Sequence, residues 1–187
     1  MKYNPKINEI AAKIPEFNIH PLSQHNKGAL EVIYQLQEYL CEITGMHAFS
    51  TQPAAGAHGE SAGIMIMKAW FEKRGEKRTK VIIPDSAHGT NPASVSLSGF
   101  EPLQVQSSLS GGIDLNDLRQ KMNEDVVGIM ITNPNTLGIF DENILEITKT
   151  VHDHGGLCYL DGANMNAMLG IVKPANFGID IMHLNLH

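Results

Sequence analysis

Three short stretches of this 187-residue chain set chemically able side chains beside turn residues. The first, Ala54-Ala-Gly-Ala-His-Gly-Glu60, is made mostly of small residues and precedes a helical stretch. Small residues let backbone N–H groups approach a ligand closely, and a helix N-terminus adds partial positive charge suited to a phosphate. The same text also serves as an ordinary tight turn. The second, Tyr159-Leu-Asp-Gly-Ala-Asn164, brings one carboxylate, Asp161, out of an apolar run. A partly buried Asp needs a cationic or hydrogen-bonding partner. A pyridinium N–H is such a partner, and a helix N-cap or an Asx turn is the plainer use of the same residue. The third, Asp85-Ser-Ala-His-Gly-Thr-Asn-Pro92, carries His88 directly after another apolar run. An imidazole there can stack on a ring, act in catalysis, or simply hydrogen-bond its loop.

Other chemistries find less support. There is no GxxxxGK[ST] phosphate loop, no GxGxxG and no Gly-x-Ser-x-Gly elbow. His152 and His154 form an HxH pair, but residues two apart on a helix point away from each other and no third ligand follows by spacing, so no metal site is expected. Cys41 and Cys158 lie far apart in apolar contexts and read as packing, and the nine methionines read as core filler.

The elements that must position these residues alternate between helix and strand. His25 to Thr44 carries Leu30, Ile33, Leu36, Tyr39, Leu40 and Ile43 on helical spacing, with Gly45 where a C-cap glycine belongs. Ser61 to Arg74 predicts a second helix, Lys80 to Pro84 a strand, Asn91 to Leu97 a short helix and Pro102 to Gln106 a strand. Asp114 caps a helix to about Met122, Val126 to Thr132 has the apolar character of a buried parallel strand, and Asp141 to His154 is a helix stopped at Gly155. Gly156 to Leu160 and Asp180 to Leu184 predict two further strands. The alternation predicts an α/β fold with a mostly parallel sheet. In such sheets ligands bind outside the carboxyl ends of the strands, which puts Asp85 to Asn91, Asn133 to Gly138, Asp161 to Asn166 and Asn185 to His187 on one rim.

Composition narrows the partners. Hydrophobic residues are 42% and charged residues 18% of the chain, so a folded domain is expected. The formal net charge is −6 with no block of like charges, which disfavours nucleic acid and anionic membrane. Met1 to Phe17 holds no apolar core of signal-peptide type, and no apolar run reaches the roughly 18 residues that span a bilayer.

Taken together, these stretches resemble the pyridoxal-phosphate-dependent glycine decarboxylase (P-protein) of the glycine cleavage system, in particular the second subunit of its split bacterial form or the C-terminal half of the single-chain form. The resemblance is carried by Lys2-Tyr-Asn-Pro5, His20-Pro-Leu22, Gln52 to Glu60, Asp85 to Ala93, Thr132-Asn-Pro-Asn-Thr136, Tyr159 to Asn164 and His183-Leu-Asn-Leu-His187, in order along nearly the whole chain. It implies a fold-type I large domain and pyridoxal phosphate as cofactor. It implies that Asp161 keeps the pyridine nitrogen protonated, that His88 stacks on one ring face with Ala163 on the other, and that backbone amides of Gly56, Ala57 and His58 take the phosphate. His187 is implied as a further phosphate contact and Thr136 as a neighbour of the phenolic oxygen. It implies decarboxylation of glycine, transfer of the aminomethyl group to the lipoyl arm of the H-protein, another P-protein subunit as partner, and a cytoplasmic setting in bacteria or the mitochondrial matrix for the single-chain form.

In the family the Schiff-base lysine directly follows the motif matched by His183 to His187. The chain as given is therefore expected to be an internal piece, residues 1–187 forming part of one large domain: an arm and first helix over 1–45, and the cofactor-bearing sheet over 46–187. By itself it is expected to be inactive. A non-catalytic scaffold subunit and a different fold-type I enzyme are the alternatives; the intact cofactor-side motifs speak against the first, and the text of Ala54 to Glu60 and Ala87 to Ser94 against the second.

Overall fold

The computed structural model describes residues 6–11, 13–14 and 27–186. The motifs at Lys2 and His20, the expected helix start at His25 and the implied phosphate contact His187 lie outside the described residues. The chain divides into two compact units, Met1–Gln52 with Leu186–His187, and Pro53–Asn185.

The first unit contains α1 (Lys6–Ala11) and α2 (Lys27–Thr44). The end of α2 follows from its residues: the Thr44 hydroxyl donates to the Leu40 carbonyl at 2.6 Å, and Gly45 at φ 74° donates its N–H to the Cys41 carbonyl at 2.8 Å. Of the apolar positions on this helix, Leu40 is buried, whereas Tyr39 is 62% exposed.

The second unit is a five-stranded parallel sheet with helices between its strands. Its elements are α3 (Gly56–Lys73), β1 (Lys80–Pro84), α4 (Thr90–Leu97), β2 (Glu101–Val105), α5 (Leu115–Lys121), β3 (Val126–Thr132), α6 (Ile144–Asp153), β4 (Leu157–Gly162) and β5 (Ile181–Leu184). The strand order is β2-β1-β3-β4-β5, and every pairing is parallel. All seven residues of β3 are buried, as a central strand covered on both faces requires. Ile64, Met67 and Phe71 of α3 pack with Val81, Val127, Met130 and Tyr159 to form the core on one face. Asp114 caps α5 as expected, accepting from the N–H groups of Asn116 and Asp117. No described helix is long and apolar enough to cross a membrane.

Among the described residues, three boundaries differ from those expected by two residues or more. Helix α3 begins at Gly56 rather than Ser61, so His58, Gly59 and Glu60 belong to its first turns. Helix α6 begins at Ile144 rather than Asp141, because the Asp141 carboxylate accepts the Ile113 N–H at 2.7 Å and the Asn143 N–H at 3.0 Å and so staples a loop. Strand β4 runs on to Gly162 and takes Asp161 into the sheet, where it pairs with His183 of β5.

Parallel pairing puts all five carboxyl ends on one rim. Strand order changes direction between β1 and β3, the position at which open α/β sheets form a crevice. The loop bearing His88 and the loop bearing Thr136 flank that point.

Candidate functional site

Asp161, at the end of β4, gathers the polar side chains of the rim. It is 2% exposed and fixed from three sides: Oδ1 accepts the Ala163 N–H at 3.0 Å and lies 3.2 Å from His183 Nε2, while Oδ2 lies 2.9 Å from His88 Nδ1. Burial alone would raise this carboxyl. The hydrogen bonds from His183, Ala163 and His88, with the charge of His183, outweigh it and hold the carboxyl down at about 2. A carboxylate that stays ionised while buried can keep a cationic ring nitrogen protonated.

The strand's period of two sets Tyr159 and Asp161 on the same face, and α3 crosses that face. Its small residues make the approach close. A β-carbon on Gly59 would stand 3.0 Å from His183 Cβ, and one on Gly63 would stand 2.1 Å from the Tyr159 ring. Between these glycines α3 projects Glu60, only 3% exposed. Burial, then the neighbouring Asp161, raises the Glu60 carboxyl, while His183 and the hydroxyls of Thr90 and Ser94 act against them. Donor atoms of Glu60, Asp161 and His183 all lie within 4.8 Å of one another. The Tyr159 hydroxyl completes the cluster at 2.6 Å from His183 Nδ1.

Other expected residues sit around this core. Ala55 gives α3 no side-chain cap, and its carbonyl takes the N–H groups of His58 and Gly59 at 3.0 Å. Of the three amides named from the sequence, the His58 N–H is thus engaged within the helix, and Gly56 and Ala57 supply the outward first-turn donors. The start of α3 lies against the end of β5: a β-carbon on Gly56 would be 3.4 Å from the Asn185 side chain. Thr136 donates its hydroxyl to the Ser86 carbonyl at 2.7 Å, tying the loop after β3 to the loop after β1. Ala163 is exposed beside Asp161.

The HxH pair has structural partners instead. His154 Nδ1 is 2.8 Å from the Thr150 carbonyl, and His152 Nε2 is 2.8 Å from Asp180 Oδ2. Asp180 and Cys158 bring donor atoms within reach of His152. Burial, with Asp180 nearby, pushes the Cys158 thiol far above its ordinary range, which opposes the thiolate that a metal needs.

Sequence reasoning gave no role to Glu60, Tyr159 or His183. All three stood inside stretches singled out for other residues. The Gly59–Gly63 spacing, two glycines on one helix face, was the available signal that an aromatic side chain packs against α3.

Scanned against protein-family profiles, the chain matches none. It is 54% identical over its whole length to probable glycine dehydrogenase (decarboxylating) subunit 2 of Caldanaerobacter subterraneus subsp. tengcongensis, and 56% identical to the protein of the same name from Bacillus cytotoxicus. The chain spans 39% of the length of each of these relatives. Among solved structures, glycine decarboxylase (P-protein) of the glycine cleavage system in inhibitor-bound form superposes with a TM-score of 0.78 at 19% identity, over 97% of this chain and 40% of that one. A NifS-like protein superposes with a TM-score of 0.64 at 19% identity, over 82% of this chain and 43% of that one. At such identities these structures speak to the fold alone, which is the fold-type I transferase α/β fold.

Proposed function

We propose, from its 54% and 56% identity to two glycine dehydrogenase (decarboxylating) subunit 2 proteins, that this chain belongs with them and supplies the cofactor-holding rim of a pyridoxal-phosphate-dependent enzyme that decarboxylates glycine. The observation that carries the proposal is Asp161, a carboxylate 2% exposed at the end of β4 and 2.9 Å from His88. The residues fit the cofactor chemically: an anion for a protonated ring nitrogen, an imidazole beside it and, for a phosphate, small-residue amides that have no acceptor among the described residues.

Pyridoxal phosphate, when bound, disperses the electron pair left on glycine by loss of carbon dioxide into a protonated ring. The Asp161 carboxylate would hold the ring-nitrogen proton in place, because its own affinity for a proton is low. His88 would lie on one ring face and Ala163 on the other, excluding water from both. Gly56 and Ala57 amides, with the positive end of α3, would take the phosphate, and His58 would lend its side chain. His187 is proposed as a further phosphate contact and Thr136 as a neighbour of the phenolic oxygen. The full-length protein is proposed to act in the bacterial cytoplasm with another P-protein subunit, passing the aminomethyl group to the lipoyl arm of the H-protein.

The test is a cofactor titration of the full-length gene product, followed by absorbance, with Asp161→Asn as the variant. Wild type is expected to bind pyridoxal phosphate and, with its partner subunit and a lipoylated acceptor, to release labelled carbon dioxide from glycine. Asp161→Asn is expected to lose most of both. No cofactor binding by wild type, or full activity in the variant, would overturn the reading.

A further inference from the structure

The charge on Asp161 fixes the direction of one hydrogen bond behind it. Oδ1 belongs to an ionised carboxylate and only accepts, so His183 Nε2, 3.2 Å away, must carry a proton. The other ring nitrogen, Nδ1, lies 2.6 Å from the Tyr159 hydroxyl. Tyr159 is fully buried, and that burial, with Asp161 and Glu60 close by, pushes its hydroxyl well above the ordinary phenol range. It stays protonated and can donate to Nδ1, the shorter contact, with the Gly59 carbonyl 3.4 Å away as its other acceptor. Asp161 Oδ2 is left turned toward His88 and the rim.

We propose that His183 is a positioning residue for the cofactor: Tyr159 holds its ring from behind, its Nε2–H clamps Asp161 Oδ1, and Oδ2 is thereby presented to the ring nitrogen of the bound cofactor. The inference rests on the cofactor reading above. Tyr159 is a positioning residue one step further removed. Among the described residues, the titratable groups around Asp161 are Glu60 from α3, His88 from the loop after β1, Tyr159 of β4 and His183 of β5. Glu60 opposes the Asp161 charge, so the carboxylate depends on its donors to stay ionised. His183 and the Ala163 N–H share Oδ1, and His183 is the donor that a side-chain substitution can remove.

The experiment uses the full-length gene product and three variants. Cofactor affinity is measured by absorbance across the acid range, and the ring nitrogens of His183 are followed by ¹⁵N NMR without cofactor. His183→Leu is expected to weaken pyridoxal phosphate binding about tenfold or more, the usual scale for losing a hydrogen bond to a charged group. It is also expected to move the acid limit of binding to higher pH, because Asp161 then protonates more readily. His183→Gln, whose amide nitrogen can reach the Nε2 position, should recover most of the affinity and the acid limit. Tyr159→Phe keeps the ring's bulk, serves if the leucine variant fails to fold, and should let Nδ1-protonated His183 appear in the spectrum.

Unchanged affinity and acid limit in His183→Leu, or glutamine no better than leucine, would overturn the proposal while leaving the cofactor reading intact. Wild type that binds no cofactor would instead sink that reading. The clamp would still be judged by NMR: Nε2 protonated with Nδ1 accepting supports it, and a bare Nε2 overturns it.

Discussion

Gly63 sits inside α3 with its α-carbon against the ring of Tyr159, and replacing it with alanine tests whether that packing holds the site in place. The added β-carbon would stand 2.1 Å from the nearest ring carbon, where ordinary contact begins at 3.4 Å, so the ring must retreat by about 1.3 Å. Tyr159 has nowhere easy to go. It is fully buried in the core formed by Ile64, Met67 and Met130, and its hydroxyl is 2.6 Å from His183. Overpacking of this kind costs about 1–3 kcal/mol. Losing the buried hydroxyl contact adds about 1 kcal/mol. Alanine returns about 1 kcal/mol through its better helix propensity. The expected net is a loss of about 2 kcal/mol, read as a lower denaturation midpoint, or as a melting temperature down by roughly 4–8 °C for a chain of this size. Combining Gly63→Ala with Tyr159→Leu makes room for the methyl, so a double-mutant cycle should show coupling above about 1 kcal/mol. A Gly63→Ala variant more stable than wild type would refute the reasoning, since only the helix propensity would then be felt.

Three further outcomes are expected. Asp161, whose carboxyl is held at about 2 against an ordinary 3.8, contributes stability that is present above pH 4 and lost as pH falls toward 2, by about 2 kcal/mol. Glu60 acts with the opposite sign, since its raised carboxyl makes the buried charge a cost that protonation relieves. Urea titrations at stepped pH should show the acid loss flattened in Asp161→Asn, and an unaltered slope would contradict the assignment. Asp114→Ala removes the cap that receives the Asn116 and Asp117 N–H groups, and should lower stability by about 1 kcal/mol in the same assay. Toward a thiol reagent, Cys158 is fully buried with its thiol pushed up and should react only after denaturation, whereas half-buried Cys41 should react in the folded protein; equal rates would show that β4 opens readily.

Much of this molecule is legible in its residues because strand and loop chemistry is local. The apolar runs at β1 and β3 are bounded by turn residues, and the structure places both strands where the sequence does. His88 and Asp161 follow such runs, and parallel pairing then brings them to the same rim. Their meeting at 2.9 Å across 73 residues of chain is a property of the sheet order, with β3 between β1 and β4. No periodicity carries that order, because a strand's own residues do not name its neighbours.

Tertiary structure alone decided what stands behind Asp161. Nothing near His183 in the chain announces Tyr159 or Glu60. They converge because β4 pairs with β5 in one register, and because two glycines let α3 settle onto that pair. The start of α3 was misplaced for a related reason. Gly56 to Gly59 has weak helix propensity of its own, and the closing of its turn on the Ala55 carbonyl is supported by packing against β5. Residue types determined which groups can hold a charge or give a proton; register and close approach determined which of them share it.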